Sequence, residues 1–100
     1  MRELNKEEAS QLLYLETRAV DYGGRVDERH MNRDDFKITI KWDKEGFLYF
    51  GRIRSNYFNS NGRHWVKFTN EAFEVAAYYR KERALRMLKN RKYKRTDELD

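Results

Sequence analysis

One hundred residues with 22 Lys/Arg, 17 Asp/Glu, no cysteine and no proline describe one small basic domain. The missing thiols exclude disulfides and thiolate metal sites. No apolar run approaches the roughly 20 residues of a membrane span, and Met1-Arg2-Glu3-Leu4-Asn5 lacks an apolar signal-peptide core, so a cytoplasmic protein with no membrane partner is expected.

Asn5 followed by Glu8 reads as a capping-box-like helix start, with Asn in the Ser/Thr place. Behind it Ala9, Leu12, Leu13, Glu16 and Val20 fall near helical spacing, flanked by Leu15 and Ala19. Gly23-Gly24 ends this first helix. Arg25-Val26-Asp27 fits a single strand rung, and 27–31 fits one helical turn.

Two patterns compete in the next segment. Phe36, Ile38, Ile40 and Trp42 alternate with Lys37, Thr39 and Lys41, as in a strand. The same apolar residues also gather on one side of a helix at 100° per residue. Asn32 as N-cap, Asp34 and Asp35 in a first turn, and Met31 with Phe36 at the staple positions favour a helix over about 33–45.

Phe47 to Arg54 reads as a strand and 55–62 as a loop ending in the turn pair Asn61-Gly62. His64 to Phe68 is the returning strand. Thr69 or Asn70 then caps a last helix whose expected buried stripe is Phe73, Ala76, Ala77, Ala84, Leu85 and Leu88. The expected core is Leu12, Leu13, Phe36, Ile40, Leu48, Phe50, Val66, Phe68, Phe73 and Ala77. One domain is expected over 1–93, with a charged tail over 94–100.

The charge is unevenly placed. Residues 1–79 sum to zero, 80–95 carry nine cations against Glu82, and 96–100 are acidic. Such a basic segment suits nucleic acid, an acidic protein surface or anionic lipid, although the helix macrodipole alone also favours cations at a helix C-terminus. No catalytic constellation is visible. His30 and His64 lack metal-ligand spacing, there is no glycine-rich phosphate loop, and Asp34-Asp35 is explained by a helix first turn. The chain is therefore not expected to be an enzyme, and no cofactor is expected.

Three basic surfaces are candidates for binding. Lys37, Lys41 and Lys44, with Arg33 near their start, form a row on one helix face. Arg52, Arg54, Tyr57 and Arg63 surround the hairpin loop, where Asn56, Asn59 and Asn61 add groove-type contacts. Arg80, Arg83, Arg86 and Lys89 supply an auxiliary surface on the last helix.

With these residues in view, the chain resembles winged helix-turn-helix DNA-binding proteins of the MarR-like kind. The resemblance is carried by Trp42-Asp43-Lys44-Glu45-Gly46-Phe47 through Phe68-Thr69-Asn70-Glu71 to Ala76. It implies a recognition helix, a strand, a basic wing, a second strand and a capped last helix. Only residues 25–44 separate Gly24 from Glu45, so the helix-turn-helix unit is shortened. The expected fold is α+β: helix, short turn, helix, hairpin wing and long C-terminal helix. The alternative order α-β-β-β-α, with 36–42 as a strand, resembles double-stranded-RNA-binding domains. The expected function is a regulatory or accessory protein that binds nucleic acid, chiefly duplex DNA. The competing expectation is a bacterial or phage interaction module or inhibitor that binds a larger protein. A second copy of the chain is a further candidate partner.

Overall fold

The computed structural model describes residues 1–54 and 62–91. In chain order it contains α1 (Lys6–Asp21), β1 (Arg25–Val26), a 3-10 turn (Glu28–His30), α2 (Arg33–Glu45), β2 (Leu48–Arg52), β3 (His64–Phe68) and α3 (Asn70–Asn90). The strands form an antiparallel sheet in the order β1-β3-β2. This is a small α+β fold. The segment 36–42 lies in α2, so the α-β-β-β-α alternative is set aside.

Local chemistry explains the boundaries. Asn5 accepts from the Glu8 N–H at 2.8 Å, and Glu8 accepts from the Asn5 N–H at 3.0 Å, closing a capping box on α1. Asn32 and Asp35 repeat the arrangement at α2, with bonds of 2.8 and 3.0 Å. Two reciprocal bonds satisfy backbone donors that a strand would have placed in a ladder, which decides the competition in this segment. Gly46 ends α2 with φ +73°, and its N–H reaches back to the last turn. Thr69 caps α3 by accepting from the Ala72 N–H, and its hydroxyl donates to the Phe47 carbonyl at 2.5 Å. One side chain thus fixes the start of α3 to the approach of β2.

The inner sheet face and the three helices enclose a core of Leu12, Leu13, Leu15, Val26, Trp42, Phe47, Leu48, Val66, Phe68, Ala72, Val75 and Ala76. Met31 joins its margin, and Phe36, Ile38, Phe50 and Tyr79 pack against it. Trp42 and Phe47 meet edge to face at 5.6 Å. Phe50 stacks flat on the half-buried His64 at 5.1 Å, and Phe36 meets both rings. Tyr79 ties α3 to the N-terminus by accepting from the Leu4 N–H at 2.7 Å.

Several expected core positions are corrected. Ile40 is 44% exposed, while Thr39 and Trp42 are buried. The buried face of α2 centres between Thr39 and Trp42, and at 100° per residue Ile40 falls on the lysine side. In α1, Leu15 is fully buried and Val20 is 63% exposed, because the buried face runs through Gln11, Leu12, Leu15 and Arg18. In α3 the buried positions are Ala72, Val75 and Ala76, so of the expected stripe only Ala76 is buried. Phe73, Ala77, Ala84, Leu85 and Leu88 are exposed. Phe73 touches Phe68 only from the margin, with ring centroids 5.0 Å apart. The strand expected over 47–54 is shorter, ending at Arg52.

Candidate nucleic-acid interface

The row on α2 is built by the burial of its other face. Thr39 and Trp42 anchor the helix inward, which leaves Arg33, Lys37, Lys41 and Lys44 exposed. At 100° and 1.5 Å per residue, these four cations and Ile40 fall within an arc of about 100° and a length of about 16 Å. Lys37, Ile40, Lys41, Lys44 and Glu45 line one shallow surface depression. Glu45 does not neutralise the row unaided, because its carboxylate is held by the Arg2 guanidinium at 2.6 Å. Arg2 is in turn seated over the Phe47 ring, 4.2 Å from its centroid. Asp34, in the first turn beside Arg33 and three residues before Lys37, dilutes the row at its N-terminal end.

The hairpin places Arg52, Arg54 and Arg63 at one end of the β2–β3 pair, and all three are exposed. The Ile53 N–H donates to the Arg63 carbonyl at 2.8 Å, extending the pairing one step past the strands. Tyr57 lies outside the described residues. The Arg63 N–H donates to Glu28 at 2.9 Å, and the His64 ring approaches the same carboxylate at 3.5 Å. The 3-10 turn is therefore joined to the base of the hairpin. Burial pushes the Glu28 carboxyl up, but the N–H groups of Arg63 and Glu28 itself, with His64, hold it below its ordinary value. Asp27, buried next door, is held well below the carboxylate range, chiefly by the Arg29 side chain at 2.8 Å.

The auxiliary cations on α3 do not make one row. Spacing of three residues turns successive members by about 60°, so Arg80, Arg83, Arg86 and Lys89 spiral around half the helix. Arg80 is engaged by Glu16 of α1. Arg83 and Arg86 line the cleft between α1 and α3 together with Glu3, Lys6 and Glu82. Lys89 is exposed. The structure thus brings Arg33, Lys37, Lys41 and Lys44 together, groups the three arginines at the hairpin, and scatters the α3 set.

Sequence reasoning missed two features. Arg18 is buried, donates through Nε to the Arg25 carbonyl at 2.7 Å, and stacks on Tyr22 at 3.7 Å. Its apolar neighbours in the helix pattern were the available signal. Tyr49 and Trp65 are exposed on the sheet face that turns away from the core. Strand alternation was the signal there. Among the described residues, no helix is long and apolar enough to cross a membrane, and no three metal-ligating side chains gather.

Neither a scan of protein-family models nor searches of curated proteins and of solved structures find a match to this chain.

Proposed function

We propose that the protein is a small winged-helix-like regulatory or accessory factor that binds duplex DNA through α2 and the β2–β3 hairpin. The observation that carries this reading is the cationic row of Arg33, Lys37, Lys41 and Lys44 on the outer face of α2. Each phosphate neutralised by such a row releases condensed counterions. The element order α1-β1-turn-α2-β2-β3 and the sheet order β1-β3-β2 support the winged-helix likeness. In this reading the 3-10 turn Glu28–His30 stands in for the first helix of a shortened helix-turn-helix. The row positions the helix along a backbone, and Ile40 among the lysines offers an apolar contact for a base edge.

The test is retention of a mixed-sequence duplex across a salt series, with a Lys37→Glu/Lys41→Glu double variant alongside. Both side chains are exposed, so the fold is retained. Strong loss of affinity in the double variant is expected. No retention by the unaltered protein at low salt would sink the reading.

A second reading, a protein-interaction module, is favoured by one observation. On α3, Tyr78, Leu85 and Leu88 are 46%, 44% and 55% exposed and share one side of the helix with Ala77 and Ala84.

A further inference from the structure

The outer face of the sheet carries chemistry that the α2 row does not use. Strand alternation sends Leu48, Phe50, Val66 and Phe68 inward. The same alternation turns Tyr49, Gly51, Trp65 and Lys67 outward, with Arg25 at the β1 position directly opposite Trp65. Tyr49 is 45% and Trp65 39% exposed, large values for two aromatics on one small sheet. Glycine at position 51 explains how the indole lies. A β-carbon there would stand 2.7–2.9 Å from three atoms of the Trp65 ring, Cζ2, Cε2 and Nε1. The indole therefore rests across the Gly51 backbone with one ring face against the sheet and the other turned outward. Tyr49 is diagonal to it across the strand pair, within reach of a shared ligand.

The outward strand positions themselves carry charge of one sign. Among the outward positions Arg25, Tyr49, Gly51, Ile53, Arg63, Trp65 and Lys67, there are three cations and no carboxylate. Lys67 stands directly opposite Tyr49. Arg52 and Arg54 border the depression that Trp65 forms with Gly51 and Ile53. Flat aromatic faces flanked by cations suit a polyanion whose links carry π-faces. Bases inside a duplex present their faces to each other, and unpaired bases present them to a protein. An acidic protein segment would satisfy the cations but leave the ring faces without a stacking partner.

We propose that this face binds single-stranded nucleic acid, with unpaired bases stacked on Trp65 and Tyr49 and phosphates met by Lys67 and by the arginines at the hairpin end. The site is separate from the α2 row. It shares only the hairpin arginines with the duplex reading, and its stacking residues, Trp65 and Tyr49, are its own.

The experiment measures affinity of the full chain for oligo(dT) and oligo(U) of about 12 nucleotides and for a mixed duplex, at low salt. The expected result is binding of at least one single strand, weakened about tenfold by Trp65→Ala and by Tyr49→Ala, with duplex affinity unchanged. The two single strands report whether the natural ligand is DNA or RNA. Lys37→Glu/Lys41→Glu should leave single-strand affinity in place. Trp42 is buried, so oligonucleotide protection of tryptophan emission from acrylamide reports on Trp65 in the unaltered protein. If Trp65→Ala does not fold, Tyr49→Ala and this protection decide. Absence of single-strand binding, or binding undiminished by both substitutions, overturns the proposal. Loss of duplex binding alone overturns only the α2 reading.

Discussion

Gln11 and Thr39, 28 positions apart, share a hydrogen bond of 3.0 Å where α1 crosses α2. The Gln11 Nε2 donates to the Thr39 hydroxyl, which donates onward to the Asp35 carbonyl at 2.8 Å. Gln11 is 3% and Thr39 0% exposed, so neither has water as an alternative. This pair fixes the angular position of α2, and with it the direction in which the lysine row faces. Replacing Thr39 by Val keeps the shape and removes the acceptor. The stranded Gln11 amide should cost about 1–3 kcal/mol in chemical denaturation. Adding Gln11→Leu should recover part of that loss, because both partners are then apolar. A double variant no more stable than Thr39→Val would show that the pair does not act as a unit.

The core correction in α3 is directly measurable. Trp42 is 1% exposed and meets Phe47, so Trp42→Ala should cost about 3–5 kcal/mol, a large fraction of the stability of a domain this small. Phe73 is 40% exposed, so Phe73→Ala should cost roughly 1 kcal/mol, most of it from the lost contact with Phe68. Equal losses in the two variants would restore Phe73 to the core and shift the register of α3.

These cases show what was legible in the residues and what was not. Asn5/Glu8, Asn32, Gly46 and Thr69 announce their helix ends because capping is local chemistry, complete within four residues. The rung at 25–26 and the 3-10 turn at 28–30 were only suggested by the residues, because the rung exists through its pairing with Trp65 and His64 far along the chain. Helix facing was not legible, since it depends on partners distant in sequence. In α3, Phe73, Ala76, Ala77, Ala84, Leu85 and Leu88 outline one stripe, while Ala72, Val75, Ala76 and Tyr79 outline another, with Ala76 common to both. Only packing against α1 and β3 chooses the second. The lysine row was legible because its members share one helix face whatever the partner. The Trp65–Gly51 relationship was not, because it needs the β2–β3 register.

Two glycines should respond to alanine in different ways. At Gly62 the backbone has φ +113°, and a β-carbon would stand 1.8 Å from the Val26 carbonyl oxygen. Backbone cannot yield there without parting β1 from the hairpin, so Gly62→Ala should destabilise by more than about 2 kcal/mol. At Gly51 the obstacle is the far end of the Trp65 side chain, which has solvent to move into. Gly51→Ala should leave stability within about 1 kcal/mol of the parent while tryptophan emission shifts as the indole lifts. A Gly51→Ala variant with unaltered emission would show that the indole does not rest on the strand.

Acid should weaken the fold through the 3-10 turn. Asp27 and Glu28 both have carboxyls held below their ordinary values in the folded state. Their stabilising contribution is therefore present above the unfolded carboxylate pKa, about 4, and is lost as pH falls through the folded values. Asp27 matters more, because its carboxylate meets the Arg29 N–H, Nε and Nη2 together. Asp27→Asn should lower stability at neutral pH and flatten its decline below about pH 4. An unchanged acid limb would assign the decline to other carboxylates.

The duplex reading makes a quantitative claim about salt. If Lys37, Lys41 and Lys44 each neutralise one phosphate, changing all three to Ala should make the slope of log affinity against log salt shallower by about 2.7. Arg80 supplies the contrast. It is a cation of the same formal charge, but Glu16 holds it, so Arg80→Ala should leave that slope nearly unchanged. Net charge alone would have every cation count equally, and Arg80→Ala would then account for as much of the slope as any one lysine. Unequal slopes would place the contact on the outer face of α2. Equal slopes would reduce the binding to a field of diffuse positive charge with no preferred face.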